Sequence, residues 1–226
     1  MANSTGTTPP PPAAIPPDDP NNQLTLADPD DPKMRHVSVA GGTYTILVTG
    51  AQTGGRYCLI DMLVPCGGGP PPHRHDFEEM FTILEGEIEL TFRVEVRRAA
   101  AGSTVNIPAN APHFFRNTSD RPARLLCMCA PAGQEEFFMS VGDPVDSRIA
   151  PPPVLGKDEQ AERVRRAKAL AAKYRTELPV WGTLFRGRVT RSRQCRTCEA
   201  QCPGIATVRA QTGAVGAPKR PTLTHN

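Results

Sequence analysis

From residue 37 to residue 129 the apolar side chains come in short runs, none long enough to make a buried helix. The runs lie at 37–40, 44–48, 57–64, 79–84, 87–96, 104–107, 113–116 and 124–129, and most are closed by Gly, Pro or Asn. Strand-length runs broken by turn residues at this frequency point to an antiparallel barrel or sandwich. In the run at 87–96, alternation places Ile88, Leu90, Phe92 and Val94 on one face. The run is taken from Glu87 to Val96; a turn joining two strands is expected in this stretch, but no Gly, Asn or Pro between Thr91 and Ala101 places it.

Outside this region the composition changes. Residues 1–32 are rich in Pro, Asn, Asp and Thr, with few large apolar side chains to offset the entropy of ordering. They are read as a disordered leader. A barrel is expected over 33–150, with a short helix at 134–141. A longer helix at about 157–178 is expected to pack on the barrel through Ala161, Val164, Ala167, Ala171, Tyr174 and Leu178. Its other face, with Arg163, Arg166, Lys168 and Lys173, is read as solvated. Residues 181–226 read as a basic, disordered tail.

The net charge of +3 divides unevenly. From Arg186 onward there are eight Lys or Arg against one acid, Glu199, so the tail carries about +7 and the remainder about −4. A mildly acidic folded region argues against a nucleic-acid-binding core. No run approaches the length of a membrane span, and no basic segment followed by an apolar stretch suggests a secretory leader. Cys58, Cys66, Cys127 and Cys129 lie in or beside apolar runs and read as buried, reduced thiols, so a cytoplasmic location is expected.

The chemistry concentrates in one stretch. His73 and His75, two residues apart on a strand, point to the same side, and Glu79 follows closely. Two imidazoles and a carboxylate make much of a coordination sphere for a first-row divalent ion. His113, from a separate strand, could close it. Glu78 is the rival to Glu79. His36 and His225 lie apart and read as bystanders, Asp76 as a solvated acid and Arg116 as an exposed cation.

These residues carry a resemblance. Gly67, His73, His75, Glu79 and Gly86 match the first signature of the cupin superfamily, G-x5-H-x-H-x3,4-E-x6-G. Gly102, Pro108, His113 and Asn117 match the second, G-x5-P-x-G-x2-H-x3-N, with Asn110 at the position of its inner Gly. Asn tolerates the positive φ such a position requires. The chain resembles a single-domain cupin of the quercetinase-like bacterial kind. The resemblance implies an all-β fold: one jelly-roll (double-stranded β-helix) barrel with C-terminal helices. It implies one divalent transition metal (Fe, Mn, Ni, Co, Cu or Zn) held by His73, His75, Glu79 and His113. Glu79 would also be the catalytic base. Phe77, Phe81, Phe114 and Phe115 would line or plug the barrel, with Phe81 and Phe115 as candidate walls of a substrate pocket. The expected activity is that of a dioxygenase-like oxidoreductase on a phenolic or enolic small molecule. The alternatives are a non-catalytic small-molecule-binding cupin and a metal-dependent isomerase or lyase. A homodimer is expected, since pairing hides barrel edges.

One motif stands outside this frame. Cys195, Cys198 and Cys202-Pro203 resemble the end of a bacterial ferredoxin cluster run, but Ser192 occupies the first cysteine position. With no core around them, they are read as thiols of a disordered tail.

Overall fold

The computed structural model describes residues 14–178. The tail cysteines, His225 and the expected tail lie outside the described residues. Residues 14–32 carry no strand or helix, and Ile15, Leu24 and Leu26 are each more than nine-tenths exposed.

Twelve strands follow: β1 (Arg35–Val39), β2 (Gly42–Val48), β3 (Cys58–Val64), β4 (Arg74–His75), β5 (Glu78–Glu85), β6 (Glu87–Phe92), β7 (Glu95–Ala100), β8 (Thr104–Ile107), β9 (His113–Arg116), β10 (Ala123–Ala130), β11 (Asp143–Val145) and β12 (Thr176–Glu177). Helix α1 (Gln134–Val141) lies between β10 and β11, and α2 (Lys157–Ala171) precedes β12. A seven-stranded sheet in the order β11-β1-β2-β3-β10-β5-β8 faces a three-stranded sheet, β7-β6-β9. All pairings are antiparallel, and the fold is the jelly roll that the strand pattern implies.

Alternation sets which side chains enter the core. Along β10, Ala123, Leu125, Cys127 and Cys129 are buried while their neighbours are half-buried. Glu79, Phe81 and Ile83 point inward from β5, and Cys58, Ile60, Met62 and Val64 from β3. Tyr44, Ile88, Ile107 and Phe115 are also among the largest fully buried side chains. Asp61 also lies buried, on the other face of β3, where Arg124 meets it with contacts of 2.6 and 3.0 Å. Cys58, Cys127 and Cys129 are free and buried, as expected. Cys66 is disulfide-bonded, which corrects the reading of a fourth reduced thiol.

Three readings are corrected. First, the strand expected to run to Val96 ends at Phe92. Arg93 takes a positive φ of 55°, its guanidinium lies over the Phe92 ring at 4.8 Å, and the chain reverses into β7. Val94 is consequently 69% exposed rather than on the buried face. Second, α2 ends at Ala171 rather than near Leu178. A short 3-10 turn (Ala172–Tyr174) closes at Arg175, with φ 58°, and β12 then pairs with β4. Only the C-terminal end of the apolar stripe packs: Ala171 is buried, whereas Val164 is 53% exposed. Third, the basic face of α2 is not simply solvated. Arg163 forms an ion pair with Asp143, and Arg166 donates to the Val141 carbonyl at 2.7 Å.

Two motif positions explain themselves locally. Gly86 has φ 72°, and a Cβ there would lie 2.8 Å from the Pro122 carbonyl oxygen. Asn110 adopts the positive φ expected of it, 68°.

Candidate metal centre

Three backbone segments converge on one point. His73 and His113 face each other across an isolated bridge, with N–H to O distances of 3.0 and 2.9 Å. His75 lies on β4, and Glu79 enters from β5, where it pairs with Cys129 on one side and Ile107 on the other. The ligand atoms of His73, His75, Glu79 and His113 all lie within 4.8 Å of one another, and all four residues are buried. Glu78 points away and accepts from Asn106 and the Ala109 N–H, both at 3.1 Å. The alternation of β5 thus separates the two neighbouring acids.

The hydrogen bonds around the imidazoles set their tautomers. His73 Nδ1 faces the Pro71 carbonyl, His75 Nδ1 the Phe77 carbonyl and His113 Nδ1 the Ala111 carbonyl, each at 2.9 Å. A carbonyl oxygen only accepts, so each Nδ1 carries the proton and each Nε2 presents a lone pair. Glu79 Oε2 lies 3.1 Å from His75 Nε2 and 3.0 Å from His113 Nε2. Lone pairs facing a carboxylate oxygen repel unless a proton or a cation sits among them. Two ligands each about 2.1 Å from a shared ion and at right angles sit about 3 Å apart. The residues present therefore fit a metal ion, and the cluster could hold one.

A proton on Nε2 can take the place of a cation: burial raises the Glu79 carboxyl, but hydrogen bonds and charge from His113 and His75, once their Nε2 atoms are protonated, outweigh it and hold the acid below the usual carboxylate range. Burial and the neighbouring His113 lower His73 to about 3, which keeps that ring neutral. The Phe77 ring stacks on His75, with centroids 3.9 Å apart and planes 4° apart, fixing that imidazole from its outer side.

The other singled-out residues fall as follows. Phe81 and Phe115 are each 1% exposed and meet edge to face at 5.2 Å in the core. His36 is away from the centre, buried with Nδ1 2.8 Å from the Thr45 hydroxyl. Asp76 pairs with Arg175 at 2.7 Å. Asn117 is fully buried and structural: Nδ2 donates to the carbonyls of Val64 (3.0 Å) and Arg121 (2.7 Å), and Oδ1 accepts from Ser119 N (3.0 Å) and Oγ (2.7 Å). Two surface cavities, of about 300 and 420 Å3, flank α1. The smaller reaches Phe77, behind His75, and is bounded by Tyr174 and Arg175.

Two features were not read from the sequence. The strand β12 lies against β4, pairing Thr176 with His75 and Glu177 with Arg74, and Arg74 meets Glu177 at 2.7 Å. Behind Glu79, Cys127 and Cys129 stand 3.7 Å apart, with thiols 3.6 and 3.9 Å from Oε1. The bond with Cys129 lowers the Cys127 thiol, but burial and the Glu79 charge outweigh it and push it up to about 12. No signal in the sequence marks either feature, because both depend on strand register.

Comparison with known proteins agrees with this geometry. A family model described as "Cupin domain" matches residues 60–129. Quercetin 2,3-dioxygenase of Bacillus subtilis is 30% identical over 128 residues, which is 56% of this chain and 37% of that protein. The chain thus spans little more than a third of that relative. An uncharacterised protein of Methanocaldococcus jannaschii is 32% identical over 84 residues, 37% of this chain and 67% of that one. Among solved structures, an RmlC-like cupin from Shewanella frigidimarina aligns with a TM-score of 0.41 and 14% identity, covering 46% of this chain and 89% of that one. The two signatures, the strand order and the matched domain converge on one assignment: the chain belongs to the cupin superfamily.

Proposed function

We propose that this cupin is a metal-dependent oxidoreductase, dioxygenase-like, acting on a phenolic or enolic small molecule. The observation that carries the proposal is the set of three imidazoles with Nδ1 committed to backbone carbonyls, gathered with the Glu79 carboxylate, which the Nε2 atoms of His75 and His113 face. The partial likeness to a quercetin 2,3-dioxygenase supports the substrate class. His73, His75, Glu79 and His113 would hold the ion, which would supply redox or Lewis-acid chemistry when bound. The chain's own work is to hold and exclude. Glu79, kept ionised, is the group available to accept the proton of a substrate hydroxyl. Phe77 locks His75, and Phe81 and Phe115 form an apolar floor that keeps water out of the barrel interior.

A second reading is a cupin that binds a small molecule without turnover, through the same four residues, which are all at most 7% exposed. One experiment separates the two. Metal content is measured by mass spectrometry on wild type and His75→Ala, and oxygen uptake is recorded with flavonols and catechols. About one redox-active ion per chain, lost in the variant, with substrate-dependent uptake, supports the oxidoreductase. Stoichiometric metal with a retained ligand and no uptake supports the binding reading. No metal in the wild type after reconstitution refutes both.

A further inference from the structure

We propose a second metal site in the barrel interior, built from Cys127, Cys129 and the far oxygen of Glu79, for a thiophilic divalent cation of the Zn(II) or Cd(II) class. It goes beyond the oxidoreductase reading and does not need it.

Register creates the site. Three adjacent strands, β3, β10 and β5, align Cys58, Cys129 and Glu79 in one row across the sheet, and Ile60, Cys127 and Phe81 in the next. Cys127 and Cys129, two apart on β10, therefore face the interior together, each fully buried, on the side of Glu79 opposite the imidazoles. Glu79 is 3% exposed, and its two oxygens have unequal partners. Oε2 faces His75 and His113 at 3.1 and 3.0 Å, whereas among the described residues the hydrogen-bond contacts of Oε1 are with the two thiols, at 3.6 and 3.9 Å. A thiol is a weak donor, so a buried anionic oxygen aimed at two of them is poorly satisfied.

The spacing is that of thiols in contact and also that of a coordination sphere. An ion about 2.3 Å from two sulfurs at a tetrahedral angle holds them about 3.8 Å apart, and a carboxylate oxygen about 2.1 Å away falls about 3.6 Å from each. The observed separations are 3.7 Å between sulfurs and 3.6 and 3.9 Å to Oε1. Thiolate donors select soft and borderline ions, unlike the imidazole and carboxylate set on the other side. Binding breaks two S–H bonds and releases two protons to solvent, so two thiolates neutralise a divalent ion, with no change of oxidation state. Glu79 would then bridge the two sites, Oε2 toward the imidazoles and Oε1 toward the thiols.

The test uses the full chain with Cys66→Ser, Cys195→Ser, Cys198→Ser and Cys202→Ser, so that Cys58, Cys127 and Cys129 are the remaining thiols. His75→Ala is added to weaken the imidazole site. Cd(II) is supplied under reducing, anaerobic conditions, both to the folded chain and during refolding from urea. Bound metal is measured after desalting, together with the near-ultraviolet thiolate-to-metal absorption. The expected result is about one Cd(II) per chain with the sulfur band, lost on Cys127→Ala or Cys129→Ala while far-ultraviolet circular dichroism stays native. Cys58→Ala, outside the proposed ligand set, should keep the band. Absence of the band by both routes, or its survival in the Cys127→Ala, Cys129→Ala double variant, overturns the proposal. Failure of the oxidoreductase reading would show instead as absent oxygen uptake in the wild type, which these variants do not probe.

Discussion

Asn117, the last residue of the second signature, should act on stability and not on metal chemistry. Its side chain makes four hydrogen bonds at zero exposure, joining the end of β9 to the end of β3 and to the turn before β10. In Asn117→Ala the Ser119 groups lie where water can replace the lost acceptor, so those two bonds cost little. The Val64 carbonyl is buried and loses its amide donor, and the Arg121 carbonyl loses another at 2.7 Å. At about 1 kcal/mol for each of the two net hydrogen bonds, plus about 1–3 kcal/mol for the orphaned buried acceptor, the loss is about 3–5 kcal/mol. For a domain of this size that lowers Tm by about 6–20 °C. Asn117→Asp should be no better than the alanine, because it sets a carboxylate oxygen against two carbonyls. Urea unfolding of the metal-free chain measures the difference, and metal content per folded chain should be unchanged. A loss under about 1 kcal/mol, or an aspartate variant as stable as wild type, would refute this account of the network.

Three further outcomes are expected. Stripping the ion with a chelator should lower Tm in wild type and leave His113→Ala unmoved, because a ligand bound at 100 times its Kd adds about 2.7 kcal/mol to the folded state; thermal melts with and without metal check this. Burial and Arg148 lower the pKa of His36 below its ordinary 6.5, so as pH falls below about 6.5 the unfolded chain takes up a proton that the folded chain refuses, and stability declines. Unfolding free energy against pH should accordingly be flatter in His36→Gln over that acid window, and parallel curves would remove the assignment. Arg124→Ala leaves Asp61, 4% exposed, with only the Arg148 guanidinium at 3.8 Å, and should cost about 3 kcal/mol by urea unfolding, whereas Arg124→Ala with Asp61→Asn should recover part of the loss.

Much of the centre was legible because its chemistry is local in sequence. His73 and His75 needed only strand periodicity, and the choice of Glu79 over Glu78 follows from the motif spacing and matches the alternation of β5. The β10 core positions could likewise be read directly from the alternation. The hairpin at Arg93 was not legible, because its left-handed residue is an arginine, with its guanidinium over the Phe92 ring, and not a glycine. Helical periodicity carried the expected α2 too far: Tyr174 fits the stripe, yet the backbone at 176–177 gains more by pairing with β4. β11 and β12 are too short to show a period at all. Cys127 and Cys129 looked like any small apolar pair, since only the pairing of β10 with β5 sets them behind Glu79.

The pairing of β12 with β4 makes His75 a point of thermodynamic communication. Docking of the segment after α2 and loading of an ion at His75 would both restrain the same two-residue strand, so the two equilibria would share a coupling free energy. Reciprocity would then fix their relation: whatever factor the docked segment contributed to ion affinity, the ion would return to the segment as resistance to local opening. Amide exchange at Thr176 and Asp76 would then report occupancy.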